Sequence, residues 1–294
     1  MFRYLRVKPR VERAPPAGAI SVDLLARDPS VPIALRQING LPDKVKMRIY
    51  RALLPPALLA RFDVDPITWK RPDVDRNVRL KAEPESGDIR ISARQEADDP
   101  DDFVCIELSD NPFNGVDLNL ILLGDPASPY FRTDFDDQGQ ATLFGTVRRN
   151  LTEEARAMRA GLAPGQVRAS LGASRTVLEH LEAFLVTWGH RTYFLEPLTY
   201  ASAWVFERRG FAYVSGHKLM DDIHKEFQPG RRLHAALDGS TSFRQPDQWR
   251  TVRGRAWAVH DGILAAIDAQ WNGLRMVKRV GRHAGVNTLP GVDY

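Results

Sequence analysis

The chain has 294 residues, 43% hydrophobic and 27% charged, with a net charge of +4, which is the balance of an ordinary folded protein and not of a disordered or fibrous one. The longest apolar candidate, "VDLNLILLG", is interrupted by Asp117 and Asn119 and is too short for a membrane-spanning helix. A single cysteine, Cys105 in "FVCIEL", excludes an intramolecular disulfide framework and fits a reducing, cytoplasmic setting for a buried structural thiol.

Residues 1–32 are rich in Pro and Arg and hold no sustained period, so they read as an arm; their basic start lacks the apolar core of a secretory leader. In "DKVKMRIYRALLPPALLARF" a helical stripe runs through Val45, Met47, Ile49, Leu53 and Leu54. Pro55-Pro56 must break it, because proline removes an amide donor and disfavours helix in the residue before it, so two short helices are expected. "NVRLKAEPESGDIRISARQ" then alternates around a turn, a hairpin signal, and "DDFVCIELSD" and "NGVDLNLILLGD" read as third and fourth strands of an antiparallel meander. The acidic run "EADDPDD" between strands two and three lacks the spacing and glycine of a calcium loop and reads as a solvated connection.

From about residue 150 the period becomes helical. Asn150, with Glu153 three residues later, opens a helix that ends at Gly161. A longer helix follows through Val177, Leu178, Leu181, Phe184, Leu185 and Trp188, and Gly189 stops it. "RTYFLEP" is a strand, "ASAWVFERRG" a short helix and "FAYVSG" another strand, a compact α/β unit. Beyond residue 216, "KLMDDIHKEF" reads as helix, and "RAWAVHDGILAAIDAQWNGLRMVKRV" as a last long helix with Trp257, Ile263, Leu264, Ile267, Trp271 and Leu274 on one stripe, weakened at Gly262 and Gly273. The expected organisation is therefore an arm over 1–32, a domain over 33–216 and a helical C-terminal extension over 217–294 that can pack back on the domain or join two copies as a homodimer.

Several chemistries are weighed against this frame. The positive charges are scattered, in pairs such as Arg148-Arg149, Arg208-Arg209 and Arg231-Arg232, whereas a nucleic-acid binder concentrates them and interleaves aromatics. A modest basic balance suits a pocket for a phosphate-bearing small molecule. "DDIHKEF" holds metal-type ligands, but only Asp221 and His224 share a helical face, so no metal is assigned. Ser174 in "GAS" lacks the glycine frame of a hydrolase nucleophile. Arg148, Arg149 and Asn150 stand at a strand-to-helix junction, a geometry suited to anions.

The order of elements, together with "AWVFERRGFAYV" over Ala203 to Val214, resembles the GCN5-related N-acetyltransferase (GNAT) superfamily and its Ala-x-x-Leu-Tyr-Glu-x-x-Gly-Phe ending, with Ala203 one place off. The resemblance covers residues 40 to 216 in order. It implies an α/β (α+β) fold with a mixed, largely antiparallel sheet flanked by helices. It also implies acetyl-CoA or another acyl-CoA as co-substrate, and a small-molecule or peptide amine as acceptor. The family binds the CoA pyrophosphate on a glycine loop opening the long helix, where backbone amides and the helix dipole attract phosphate. Gly172, Ala173 and Ser174 of "GQVRASLGASR" match that place, with Gln166, Arg168 and Arg175 beside them, although neither Gln166 nor Arg168 lies three residues before Gly172. Where the family often carries a tyrosine that protonates the leaving thiolate, this chain has Phe206; Tyr200 is the nearest substitute and Tyr213 the next. Glu107 and Glu196 are the candidate general bases by strand position. A non-catalytic relative that binds a ligand or partner is the alternative.

Overall fold

The computed structural model describes residues 31–71, 77–96, 98–142 and 148–294. Nearly all of the expected arm, and residues 143–147 of the junction before Arg148, lie outside them. The proline pair divides the first helical stretch as expected: α2 (Asp43–Tyr50) ends in a 3-10 turn, and α3 (Pro56–Ala60) begins with Pro56, where the missing N–H costs nothing. A shorter α1 (Leu35–Asn39) precedes them, its first amides, Leu35 and Arg36, donating to the Asp110 carboxylate at 2.7 and 3.0 Å.

The alternating runs form the meander β1 (Val78–Lys81), β2 (Asp88–Ala93), β3 (Val104–Asp110) and β4 (Val116–Leu123). Glu107 pairs with Leu120 and Leu108 with Leu118, so Asn119 is an extra residue, a bulge that bends β4 midway. The helical half supplies α4 (Leu151–Arg159), capped by the Asn150 side chain, and α5 (Ser174–Thr187). Then come β5 (Thr192–Leu195), α6 (Tyr200–Arg208), β6 (Ala212–Ser215), α7 (His217–Glu226), α8 (Arg232–Ala235) and α9 (Val252–His260).

The last long helix is not formed. α9 stops at His260, because Gly262 and Gly273 both take positive φ, 79° and 67°, which a helix cannot hold. Between them lies a 3-10 turn, Ile263–Ile267, and after them comes β7 (Arg275–Arg279), in which Met276 and Lys278 face inward. The resulting mixed sheet is largely antiparallel with order β1-β2-β3-β4-β5-β7-β6; only β4 and β5 run parallel. The C-terminal extension is thus not a purely helical appendage, and the boundary at residue 216 does not separate it from the sheet: it inserts β7 between β5 and β6.

Two main cores follow. One packs α1–α3 and α5 on the sheet, from Leu35, Ile38 and Leu53 to Val177, Leu181 and Phe184. The other joins α6 to the extension through Ala201, Ala203, Met220, Ile223, Ala256 and Leu264. Among the described residues no helix is long and apolar enough to cross a membrane.

Candidate functional site

The parallel ladder between β4 and β5 contains only Val116↔Tyr193 and Asp117↔Phe194. Past Asp117 the strands part, and the described stretch of β4 up to Leu122 has no strand on that side until the isolated bridge from Gly124 to Ser170. A cleft of about 510 Å³ opens there, between the end of β4, the loop 163–168, the start of α5 and one side of α6. This is the size of a small-molecule site.

The start of α5 forms one end. Gly172 lies at φ +70° with no atom within 4 Å of where a Cβ would stand, so the backbone itself faces open space. No side chain caps α5, as none caps α2, α3, α7 or α8, whereas Asn150, Thr199 and Thr251 cap α4, α6 and α9. Ser174 lines the cleft, Ala173 is half-buried beside it, and Arg175 is exposed on the first turn. Of these four consecutive residues, Gly172 and Ser174 line the cleft.

Gln166 and Arg168 also line the cleft, but Gln166 Oε1 and Arg168 Nε and Nη1 are committed elsewhere. The Gln166 Oε1 accepts from the Ala163 amide at 2.7 Å, folding its own loop. Arg168 donates Nε to both oxygens of Asp101, at 2.9 and 3.0 Å, and Nη1 to the Pro126 and Ser128 carbonyls. It braces the loop. The cation the sequence reading missed is Arg209, the C-cap of α6, whose Nη2 donates to Ser174 Oγ at 2.9 Å while its Nε is sealed without a partner. The doubled arginine of "ERRG" was its only trace in the sequence.

The expected acid–base residues stand apart from the cleft. Tyr200 is 1% exposed, packed in the second core beside the Arg255 guanidinium, and burial pushes its phenol well above the usual range. The first residue of α6 faces inward there, so Tyr200 has no path to the cleft. Tyr213 donates its hydroxyl to the buried Glu207 at 2.7 Å, and burial likewise raises it. Glu207 also accepts from the Thr288 amide and hydroxyl, which ties the chain's last stretch to α6. Glu196 is exposed and paired with Arg275 at 3.2 Å. Glu107 stands opposite the lining residue Leu120 at the bulge and is paired with Arg90 at 2.8 Å. Phe206 lines the cleft. Among the described lining residues Arg168 and Arg209 are the charged ones, with no carboxylate or imidazole.

Other reactive groups are spent in structure. Burial pushes the Cys105 thiol up to about 12. His224 Nδ1 lies 3.1 Å from Arg255 Nη1, and burial followed by that cation holds the imidazole below its usual range. Arg149 is bound by Glu154 and Asp261, so the junction expected to suit an anion is closed by carboxylates. No family model matches the chain, and no similar curated protein or solved structure is found.

Proposed function

We propose that the chain is an acyl-CoA-dependent N-acyltransferase of the GNAT type, moving an acyl group from a thioester to an amine. The observation that carries this reading is the parting of β4 from β5, which leaves an open strand edge leading to an uncapped helix start. Pyrophosphate would sit on the amides around Gly172, Ala173 and Ser174, with Arg209 and Arg175 supplying charge. The amide-bearing pantetheine arm would run along β4, pairing with its open edge as an added strand does. The uncharged amine then attacks the thioester carbon, a backbone N–H polarises the carbonyl, the C–S bond breaks, and the thiolate takes its proton from water. Glu107, acting through water, would receive the amine's proton.

A second reading, a protein that binds the thioester without turning it over, is favoured by Phe206 and by the lack of acid–base side chains along the described lining. Calorimetry with CoA and acetyl-CoA, followed by thiol release from acetyl-CoA with a panel of amines, separates the two. Binding with amine-dependent thiol release supports the enzyme, and binding without it supports the second reading. Absence of binding to every CoA species overturns both. Gly172→Asp, which puts a carboxylate where the phosphate would lie, is expected to weaken CoA binding by at least about tenfold.

A further inference from the structure

We infer that the thioester this cleft takes carries an apolar acyl chain longer than acetyl, an inference that rests on the proposed acyl-CoA site. The cleft divides by chemistry. Its free cation and open amides are confined to the start of α5 and Arg209, and its remaining walls are mostly aliphatic or aromatic. Four of those apolar side chains, Leu120 and Leu122 on β4 and Leu198 and Val205 beside or on α6, join none of the hydrophobic cores of the described residues.

Their neighbours show how unusual this is. Val116 and Leu118 on the same strand are buried, and the alternate residues Ile121 and Leu123 pack on the first core. All four residues from Leu120 to Leu123 line the cleft, and strand alternation puts Leu120 and Leu122 on the face away from Ile121 and Leu123, so that no core claims these two. Leu198 is 48% exposed at the rim. Phe206 extends the apolar wall where a hydroxyl would have interrupted it. Apolar side chains gathered in a concavity, unclaimed by a core, gain free energy when a ligand covers them.

The charge pattern narrows the occupant. Outside the phosphate end the described lining has one cation, Arg168, already paired with Asp101, and no carboxylate, while Glu107 behind Leu120 is paired with Arg90, so a charged acyl group would find no free opposite charge there. An anionic head joined to an uncharged hydrocarbon tail complements both ends. Such a molecule is an alkanoyl thioester of CoA, and a free alkanoate shares its chemistry in reduced form.

The test is calorimetry on the full chain with CoA, acetyl-CoA, butanoyl-CoA, hexanoyl-CoA and free hexanoate. Kd is expected to fall about threefold to fourfold per methylene from acetyl to hexanoyl. The Val205→Glu variant should flatten that slope, read as the hexanoyl-to-acetyl ratio within the one protein. Val205→Ala, a milder change in the same helix, should lower the ratio in part and serves if the charged variant fails to fold. Equal affinity for all thioesters, or acetyl-CoA binding tightest, overturns the inference while leaving the acyl-CoA site in place. A slope unaltered in both variants places the chain elsewhere and also overturns it. Hexanoate binding as tightly as hexanoyl-CoA makes this a fatty-acid site, again against the inference. No binding of any CoA species is the failure of the proposed function itself.

Discussion

Two polar regions of this molecule use the same residue types to opposite ends. Where α4 meets α9, Arg149 donates to Glu154 at 2.5 and 2.9 Å and to Asp261 at 2.8 Å, with its guanidinium 4.9 Å from the Phe243 ring centroid. His260 approaches the other Glu154 oxygen at 3.3 Å, and Arg244 completes Asp261 at 2.9 Å. Every charge there meets its opposite. At the cleft, Arg209 reaches a neutral hydroxyl through Nη2 and meets no carboxylate among the described partners, and α5 begins without a side-chain cap. Saturated polarity holds elements together, whereas polarity with valences left over is available to a ligand.

The largest expected effect tests the saturated corner. Glu154 is 3% exposed, and Glu154→Ala leaves Arg149 with Asp261 alone and takes from His260 its carboxylate partner. Breaking a buried pair by removing one partner costs about 3–5 kcal/mol, measurable by denaturant unfolding, with CoA binding to the surviving folded protein unchanged. The same carboxylate sets an acid dependence. Burial alone would raise its pKa, but hydrogen bonds from His260 and Arg149 outweigh burial and hold it below the ordinary value of 4.5. A depressed folded pKa contributes stability that is present above the unfolded value and is lost as pH falls through the folded one. Stability should therefore decline below about pH 4.5, and Glu154→Gln should be less stable at neutral pH with a shallower acid limb. An acid limb identical to that of the unaltered protein would remove Glu154 from the account.

What could be read from the sequence follows the same division between local and distant causes. The meander and α5 were legible because alternation and a 3.6-residue period are written in consecutive residues, with Gly189 as a stop signal. β7 was not: "RMVKR" continues the apolar stripe of the preceding segment, and its inward Lys278 reads as a surface residue. That lysine is satisfied only in the fold, by the Arg209 and Arg282 carbonyls at 2.6 and 2.7 Å. The glycine loop before α5 was found from its place ahead of a helix. Arg168 looked like a phosphate ligand because its partner, Asp101, is 67 residues away. Arg209 was overlooked as a ligand for the same reason reversed, since its meeting with Ser174 depends on how α6 lies against α5.

Removing that meeting is the next test in size. Arg209→Ala is expected to weaken CoA binding by about 10–100-fold, the worth of a hydrogen bond to a charged group, while the melting temperature moves little. Arg209→Lys should recover part of the affinity, because a point charge replaces the planar fork. A loss of stability as large as that of Glu154→Ala would instead make Arg209 part of the scaffold and erase the contrast between the two regions.

The smallest effect compares two hydroxyls in the one cleft. Thr199 accepts from the Ser202 amide at 3.1 Å, and Ser202 Oγ donates back to the Thr199 carbonyl at 2.8 Å, so both are used by the start of α6. Ser174 Oγ serves no helix cap and meets only the unsaturated Arg209 among its described partners. Thr199→Ala should therefore cost about 1 kcal/mol of stability, the usual price of a lost cap, and change CoA affinity less than twofold. Ser174→Ala should do the reverse, leaving unfolding unaltered and weakening CoA severalfold by releasing Arg209 from its alignment. Equal behaviour of the two variants in both assays would mean that an uncapped helix start confers no binding function here.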